Sequence, residues 1–214
     1  MDVSDLVTYA RQQYNATSDS FFSDTELYSY IYDAQMQLAR FTSCIRGTYT
    51  QSTVASQQEY SMPSDVISVK RVTYDGKRLA RISFSEDDMI TGFNASTTST
   101  ATPSCYAYWN ATLYLRPVPS AVATIKIFVY KMPDEVTATS VLEVPTIYHL
   151  DMADYLLHKM AAKDKNYSGA QYFANLWAVS LKRAKDDERK RDRMDAFSSV
   201  KDFANLDAMF LGVE

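Results

Sequence analysis

The stretch from Val144-Pro145-Thr146 to Asp195 constrains the fold of this chain most, because it encodes two consecutive helices and the second outlasts its own apolar face. The spacing predicts a first helix from about Thr146 to Ala162, with Ile147, Leu150, Ala153, Leu157, Met160 and Ala161 recurring at three and four along one side. A turn-like Lys163-Asp164-Lys165-Asn166-Tyr167 follows, and a second helix begins around Ser168. Its stripe is Ala170, Phe173, Ala174, Trp177, Leu181 and Ala184, and the next positions of that stripe are Glu188, Arg191 and Asp195. Charges meanwhile continue at helical spacing, with Asp186–Lys190 and Asp187–Arg191 four apart in the favourable order. A helix that is polar all round spans solvent or faces a partner outside the chain. Beyond it stand Phe197, Val200, Phe203, Leu206, Met209, Phe210, Leu211 and Val213. Left exposed, such a tail is an aggregation hazard. The expectation is a solvated spacer that carries an apolar docking plug outward; a tail folded back on its own helices is the alternative.

The front of the chain supplies helices of its own. Val3, Leu6, Val7 and Ala10 mark a short one from Ser4 to about Tyr14. Phe22-Ser23-Asp24-Thr25-Glu26-Leu27 then reads as a capping box from Ser23 to Glu26, with Phe22 and Leu27 as a hydrophobic staple. Such a cap contributes roughly 0.5–2 kcal/mol. The helix it opens runs to about Phe41 on an inner face of Leu27, Ile31, Ala34, Leu38 and Phe41.

After Cys44 the period becomes strand-like. Thr48–Tyr60 is hydroxyl-rich, and Val66–Tyr74 is a strand ending on Asp75-Gly76, a hairpin dipeptide that tolerates the positive φ of a type I′ turn. Lys77–Ile82 is the expected return strand. Ser85-Glu86-Asp87-Asp88 looks like a capped helical turn, and Asn94–Thr102 is a low-complexity tip. Cys105–Trp109 and Thr112–Leu115 pair around Asn110-Ala111, and Val122–Tyr130 alternates Ile125, Ile127 and Val129 as a further strand. The fold class is therefore α+β: a helical bundle formed by both chain ends, an inserted antiparallel β-domain, and an extended C-terminal helix and tail. The expected divisions are 1–46, 47–143, 144–195 and 196–214.

Reactive motifs are missing. The five glycines are isolated from one another, so there is no phosphate-cradling loop. His149 and His158 stand nine apart, on opposite faces of one helix, and cannot chelate one ion. Cys44 and Cys105 have no metal spacing and read as free thiols. Glu86, Asp87 and Asp88 are the best acidic cluster, but first-turn carboxylates at a positive dipole end explain them. No catalytic residue, metal or cofactor is expected. No apolar run of 18 residues or more occurs, and Met1–Asp5 lacks the build of a secretory leader. The net charge of −4 argues against a nucleic-acid affinity binder. Seven bases and four acids between Lys182 and Arg193 leave the remainder near −7. Tyr28 and Tyr30 lie about 200° apart on their helix, so Tyr28, Tyr30 and Tyr32 cannot share one core, and some meet solvent or a neighbouring subunit.

The element order and several phrases, Tyr60-Ser-Met-Pro63-Ser-Asp65, Asp75-Gly76 and Leu113-Tyr-Leu-Arg-Pro117-Val-Pro119, together resemble the head–tail adaptor (connector) proteins of tailed bacteriophages, especially the tail-tube or adaptor type of short-tailed phages. The resemblance spans nearly the whole chain. It implies a structural virion protein, made in the host cytoplasm, that forms a ring of about twelve copies beneath the portal. It further implies contacts with the portal, the tail nozzle or tail-tube proteins and other copies of itself, and DNA passing through without specific binding or any membrane role. On that reading Arg189, Arg191, Arg193, Phe197, Val200, Phe203, Leu206, Met209, Phe210 and Leu211 dock the portal. Tyr28, Tyr30 and Tyr32 belong to the subunit interface, and Glu86, Asp87 and Asp88 line the channel. The competing expectation is a monomeric β-domain that binds a glycan or host factor, displayed on a helical stalk.

Overall fold

The structure, a computed structural model, describes residues 1–17, 20–85 and 100–197, the side chains of residues 194–197 excepted. The protein is mixed α+β and divides into two compact units, one holding Met1–Cys44 and the chain from Asp134 on, the other Ile45–Pro133. The segment 134–143 therefore lies with the helices: Glu143 donates its backbone N–H to Gln35 Oε1 at 2.9 Å, and Leu142 and Val144 are buried.

Four α-helices build the first unit among the described residues: α1 (Val3–Gln13), α2 (Asp24–Thr42), α3 (Asp151–Lys163) and α4 (Tyr167–Phe197). Val3, Leu6, Val7 and Ala10 give α1 its buried side. Ser23 Oγ caps α2 by accepting from the Glu26 backbone N–H at 3.3 Å. The inner face of α2 is Leu27, Ile31, Ala34 and Leu38, but Phe41, expected to complete it, is 57% exposed. One position on, Thr42 turns inward instead and satisfies its hydroxyl by donating to the Leu38 carbonyl at 2.7 Å.

α3 starts later than its periodicity predicts. Pro145 opens a 3₁₀ turn over Thr146–Tyr148 before the α-helix begins at Asp151. A 3₁₀ turn advances roughly 120° per residue, so extending the α-helical stripe back through it misplaces Ile147 and Leu150, which are 55% and 57% exposed. Tyr148 is the residue carried inward, and α3 itself buries Met152, Ala153, Leu156, Leu157, Met160 and Ala161. For α4, Asn166 Oδ1 accepts from the Gly169 N–H at 3.0 Å, which sets the first helical residue at Tyr167. Ala170, Trp177, Leu181 and Ala184 are its buried stripe, and Trp177 Nε1 donates to Gln37 Oε1 on α2 at 2.8 Å.

The second unit holds two four-stranded sheets around one core. Its strands are β1 (Arg46–Ser52), β2 (Glu59–Ser61), β3 (Val66–Tyr74), β4 (Lys77–Arg78), β5 (Ala80–Arg81), β6 (Thr100–Ala101), β7 (Cys105–Trp109), β8 (Thr112–Arg116), β9 (Val118–Pro119) and β10 (Thr124–Lys131). The sheet orders are β1-β10-β3-β4 and β2-β8-β7-β5, antiparallel except for the β5–β7 pair, and β6 and β9 make a separate parallel pair. Val69, Val72, Ile125, Ile127 and Val129 of the first sheet meet Tyr60, Tyr106, Leu113 and Leu115 of the second in a shared core.

A bulge makes that core possible on β3. Val69 and Val72 are three apart, so a regular strand would send them to opposite faces. Arg71 pairs with Phe128 and Val69 with Val129, so Lys70 is the extra residue, both valines point inward, and Lys70 and Arg71 are both exposed. The Asp75-Gly76 turn has positive φ at both residues, 47° and 76°, as its dipeptide predicts. The return run differs from the single strand expected over Lys77–Ile82. Buried Leu79 bonds back to the Val72 carbonyl at 3.0 Å, while Ala80 bonds to the Ser104 carbonyl at 3.0 Å, so the chain changes sheets there. Likewise Thr48–Tyr60 resolves into β1 and β2, and Thr100 and Ala101, expected in the tip, pair with β9.

The α2–α3 contact carries a pH signature. Lys163 Nζ and the Tyr30 hydroxyl both donate to the Glu26 carboxylate, and those bonds hold it below its ordinary value of 4.5. A depressed carboxylate adds stability that is complete above its unfolded pKa and is lost as pH falls through the folded one. Glu26→Gln is therefore expected to flatten the acid limb of a urea-stability profile below about pH 4.5 while leaving the shape above pH 6 unchanged.

Candidate functional site

The candidate site is the outer part of α4 and the buried group that anchors it. Because the Pro145 turn carries Tyr148 inward, its hydroxyl reaches across to α4 and donates to Glu188 Oε1 at 3.0 Å. Arg191 Nη1 donates to the same oxygen at 2.8 Å, and Glu188 is only 4% exposed. Burial pushes the Tyr148 phenol well above its usual range, and its bond to Glu188 adds to the shift, so it stays a donor at any ordinary pH. Burial also raises the Cys44 thiol, with the Glu188 charge adding to the effect, which keeps it protonated and unlike a nucleophile.

Among the described residues the apolar seam of α4 ends at Ala184, as its pattern predicts, but the buried side continues one turn further to Glu188 as a satisfied carboxylate. The charge pairs change accordingly. Arg191 is drawn to the low-dielectric site of Glu188, where a pair interacts more strongly than in water. Asp187 then meets Lys190 at 3.6 Å and Asp186 meets Arg189 at 3.9 Å, three apart instead of four. Past Glu188, Arg189, Lys190 and Arg193 are exposed, and the helix continues to Phe197.

Of the other residues singled out from sequence, Tyr28, Tyr30 and Tyr32 are each half-buried. Tyr30 is partly occupied within its own protomer: its hydroxyl donates to Glu26 Oε1 at 2.7 Å, and burial followed by that bond pushes its pKa up to about 12. Glu86, Asp87 and Asp88 lie outside the described residues, as do Val200, Phe203, Leu206, Met209, Phe210, Leu211 and Val213 and the side chain of Phe197. His149 is buried with Nε2 against the Val144 carbonyl at 2.9 Å, and His158 Nδ1 lies 2.9 Å from the Ala170 carbonyl. Among the described residues no cluster of His, Cys, Asp or Glu could hold a metal ion, and no helix is long and apolar enough to cross a membrane.

Sequence reasoning missed a second stripe on α4. Tyr172, Leu176 and Val179 are 61%, 36% and 58% exposed at a spacing of four and three. The signal was present in the sequence, but the richer stripe through Trp177 and Leu181 obscured it.

These residues sit in a helical unit that holds Met1–Cys44 and the chain from Asp134 on, with the β unit of Ile45–Pro133 inserted between the two in sequence. The chain belongs to the SU10 adaptor protein family, whose model matches residues 1–201. No curated protein matches it.

The anchor yields a stability prediction. Tyr148→Phe strips a donor from a buried carboxylate and should cost about 1–3 kcal/mol in urea unfolding at neutral pH. Tyr148→Phe combined with Glu188→Leu should recover part of that loss, because no buried charge then remains to be satisfied.

Proposed function

We propose that this adaptor assembles as a ring of about twelve copies beneath the portal, joining capsid to tail and surrounding the DNA exit channel. The observation that carries the reading is the course of α4: its last described buried side chain is Glu188, yet the helix runs on to Phe197 with Arg189, Lys190 and Arg193 in solvent. A rigid, charged strut of this kind presents whatever follows it at a distance from the core. The following residues, Val200 to Leu211, are rich in large apolar side chains, which suits insertion into a portal groove with Arg189, Arg191 and Arg193 at the polar rim.

A ring also needs side-to-side contacts between two different patches of the same chain. Tyr172, Leu176 and Val179 provide one exposed apolar patch on α4, and the half-buried Tyr28 and Tyr32 on α2 provide a second. The net charge of −4, with Glu86, Asp87 and Asp88 as channel-lining residues, lets DNA slide past instead of sticking. The tail-facing partners are nozzle or tail-tube proteins.

Truncation after Met194 tests the docking role. The shortened protein is expected to stay folded and soluble, with an unchanged circular dichroism spectrum, yet to be missing from the necks of assembled particles. Normal incorporation would refute portal docking by the tail. Sizing the full chain with and without portal tests the ring: Leu176→Glu combined with Val179→Glu should abolish the portal-dependent higher-order species. A strict monomer under both conditions would instead favour a β-unit binding module carried on a helical stalk.

A further inference from the structure

The β unit carries a basic pocket to which the proposed ring assembly assigns no part. Between residues 70 and 81 the chain places Lys70, Arg71, Lys77, Arg78 and Arg81 against the single acid Asp75, a local charge of +4 in a protein of net −4. The fold concentrates four of these cations. The β3 bulge turns Lys70 and Arg71 to the same outer face, and the change of sheet at Leu79 brings Arg78 and Arg81 alongside them. Together with Leu79, Ala80 and Tyr106 they line a cavity of about 530 Å³.

Two features separate this pocket from an ordinary solvated charge run. First, Arg71, Arg78 and Arg81 make no ion pair among the described residues. Arg71 only lies over the Phe128 ring, 4.1 Å from its centroid. Mutual repulsion of clustered cations is unfavourable, so three guanidinium groups without an ion pair among the described residues are poised for an anion. Second, Tyr106 is 2% exposed and lines the pocket, yet its hydroxyl makes no hydrogen bond among the described residues. The ring is buried, but the hydroxyl oxygen is not itself a buried polar atom left without a partner, so it borders the open space of the pocket.

We propose that this pocket is a phosphate-binding site, with Arg78 and Arg81 gripping the phosphoryl oxygens, Arg71 and Lys70 completing the charge, and the Tyr106 hydroxyl donating from the floor. Guanidinium forks match phosphate oxygens bidentately, and a phosphoryl group offers more acceptors than the two oxygens of a carboxylate, which fits several arginines converging on one space. The phosphate has two possible sources, a free phosphate or the backbone of a nucleic acid. The inference stands independently of ring assembly.

The test uses the full chain at fixed ionic strength. Inorganic phosphate is titrated by calorimetry, a fluorescein-labelled single-stranded oligonucleotide by anisotropy, and poly-glutamate serves as a non-phosphate polyanion. Saturable binding of phosphate alone assigns the free anion, and binding of the oligonucleotide assigns the backbone. In either case Arg78→Ala with Arg81→Ala should weaken binding at least about tenfold and Tyr106→Phe by a few-fold, with unchanged melting temperatures. Failure of both phosphate probes, binding unmoved by these variants, or poly-glutamate bound as tightly as the oligonucleotide would overturn the proposal.

Discussion

The hydrogen-bonded carboxylate of Glu188 is the constraint on which the helical unit turns. A carboxylate this deep is strongly unfavourable unless donors surround it, because the interior cannot replace its hydration shell. Tyr148 and Arg191 supply those donors, one from the turn before α3 and one from the next turn of α4 itself. The Tyr148–Glu188 hydrogen bond ties the distal part of α4 to the turn before α3. Before that point α4 is held by its buried stripe and by the Trp177–Gln37 hydrogen bond; beyond it the described helix carries spaced charges.

Past that point the described part of α4 carries exposed charge in place of apolar side chains, and burying Arg189, Lys190 or Arg193 unpaired would cost more than their stems could recover. The same helix keeps Tyr172, Leu176 and Val179 on an outer face, so α4 presents apolar surface along one part and charge along another.

In the β unit the comparable constraint is the bulge on β3. One extra residue lets two valines three apart enter the same core and, as a by-product of the same geometry, sets Lys70 and Arg71 side by side. Leu79 does similar work at the opposite end of the hairpin: by entering the core it breaks the return strand and hands the chain to the second sheet. Core demand, not charge, thus gathers the basic side chains around Tyr106.

Much of this was legible from the residues. Local signals acting over a few positions survived intact: the Ser23 cap of α2, the Asp75-Gly76 turn, the hairpin around Asn110-Ala111 and the stripe through Trp177 and Leu181 depend on nearest neighbours and on apolar periodicity, which tertiary packing reinforces. Wherever a distant partner decides, the sequence was silent. Glu188 looks like the first solvated residue of a charged helix until Tyr148 is brought to it from 40 positions away. Ile147 and Leu150 look like core until a 3₁₀ turn shifts their phase, and Lys70 looks like one more alternating strand residue until β10 imposes its register. A sequence states which side chains want burial or a partner; only the folded chain, by closing long loops, decides which of them obtain it.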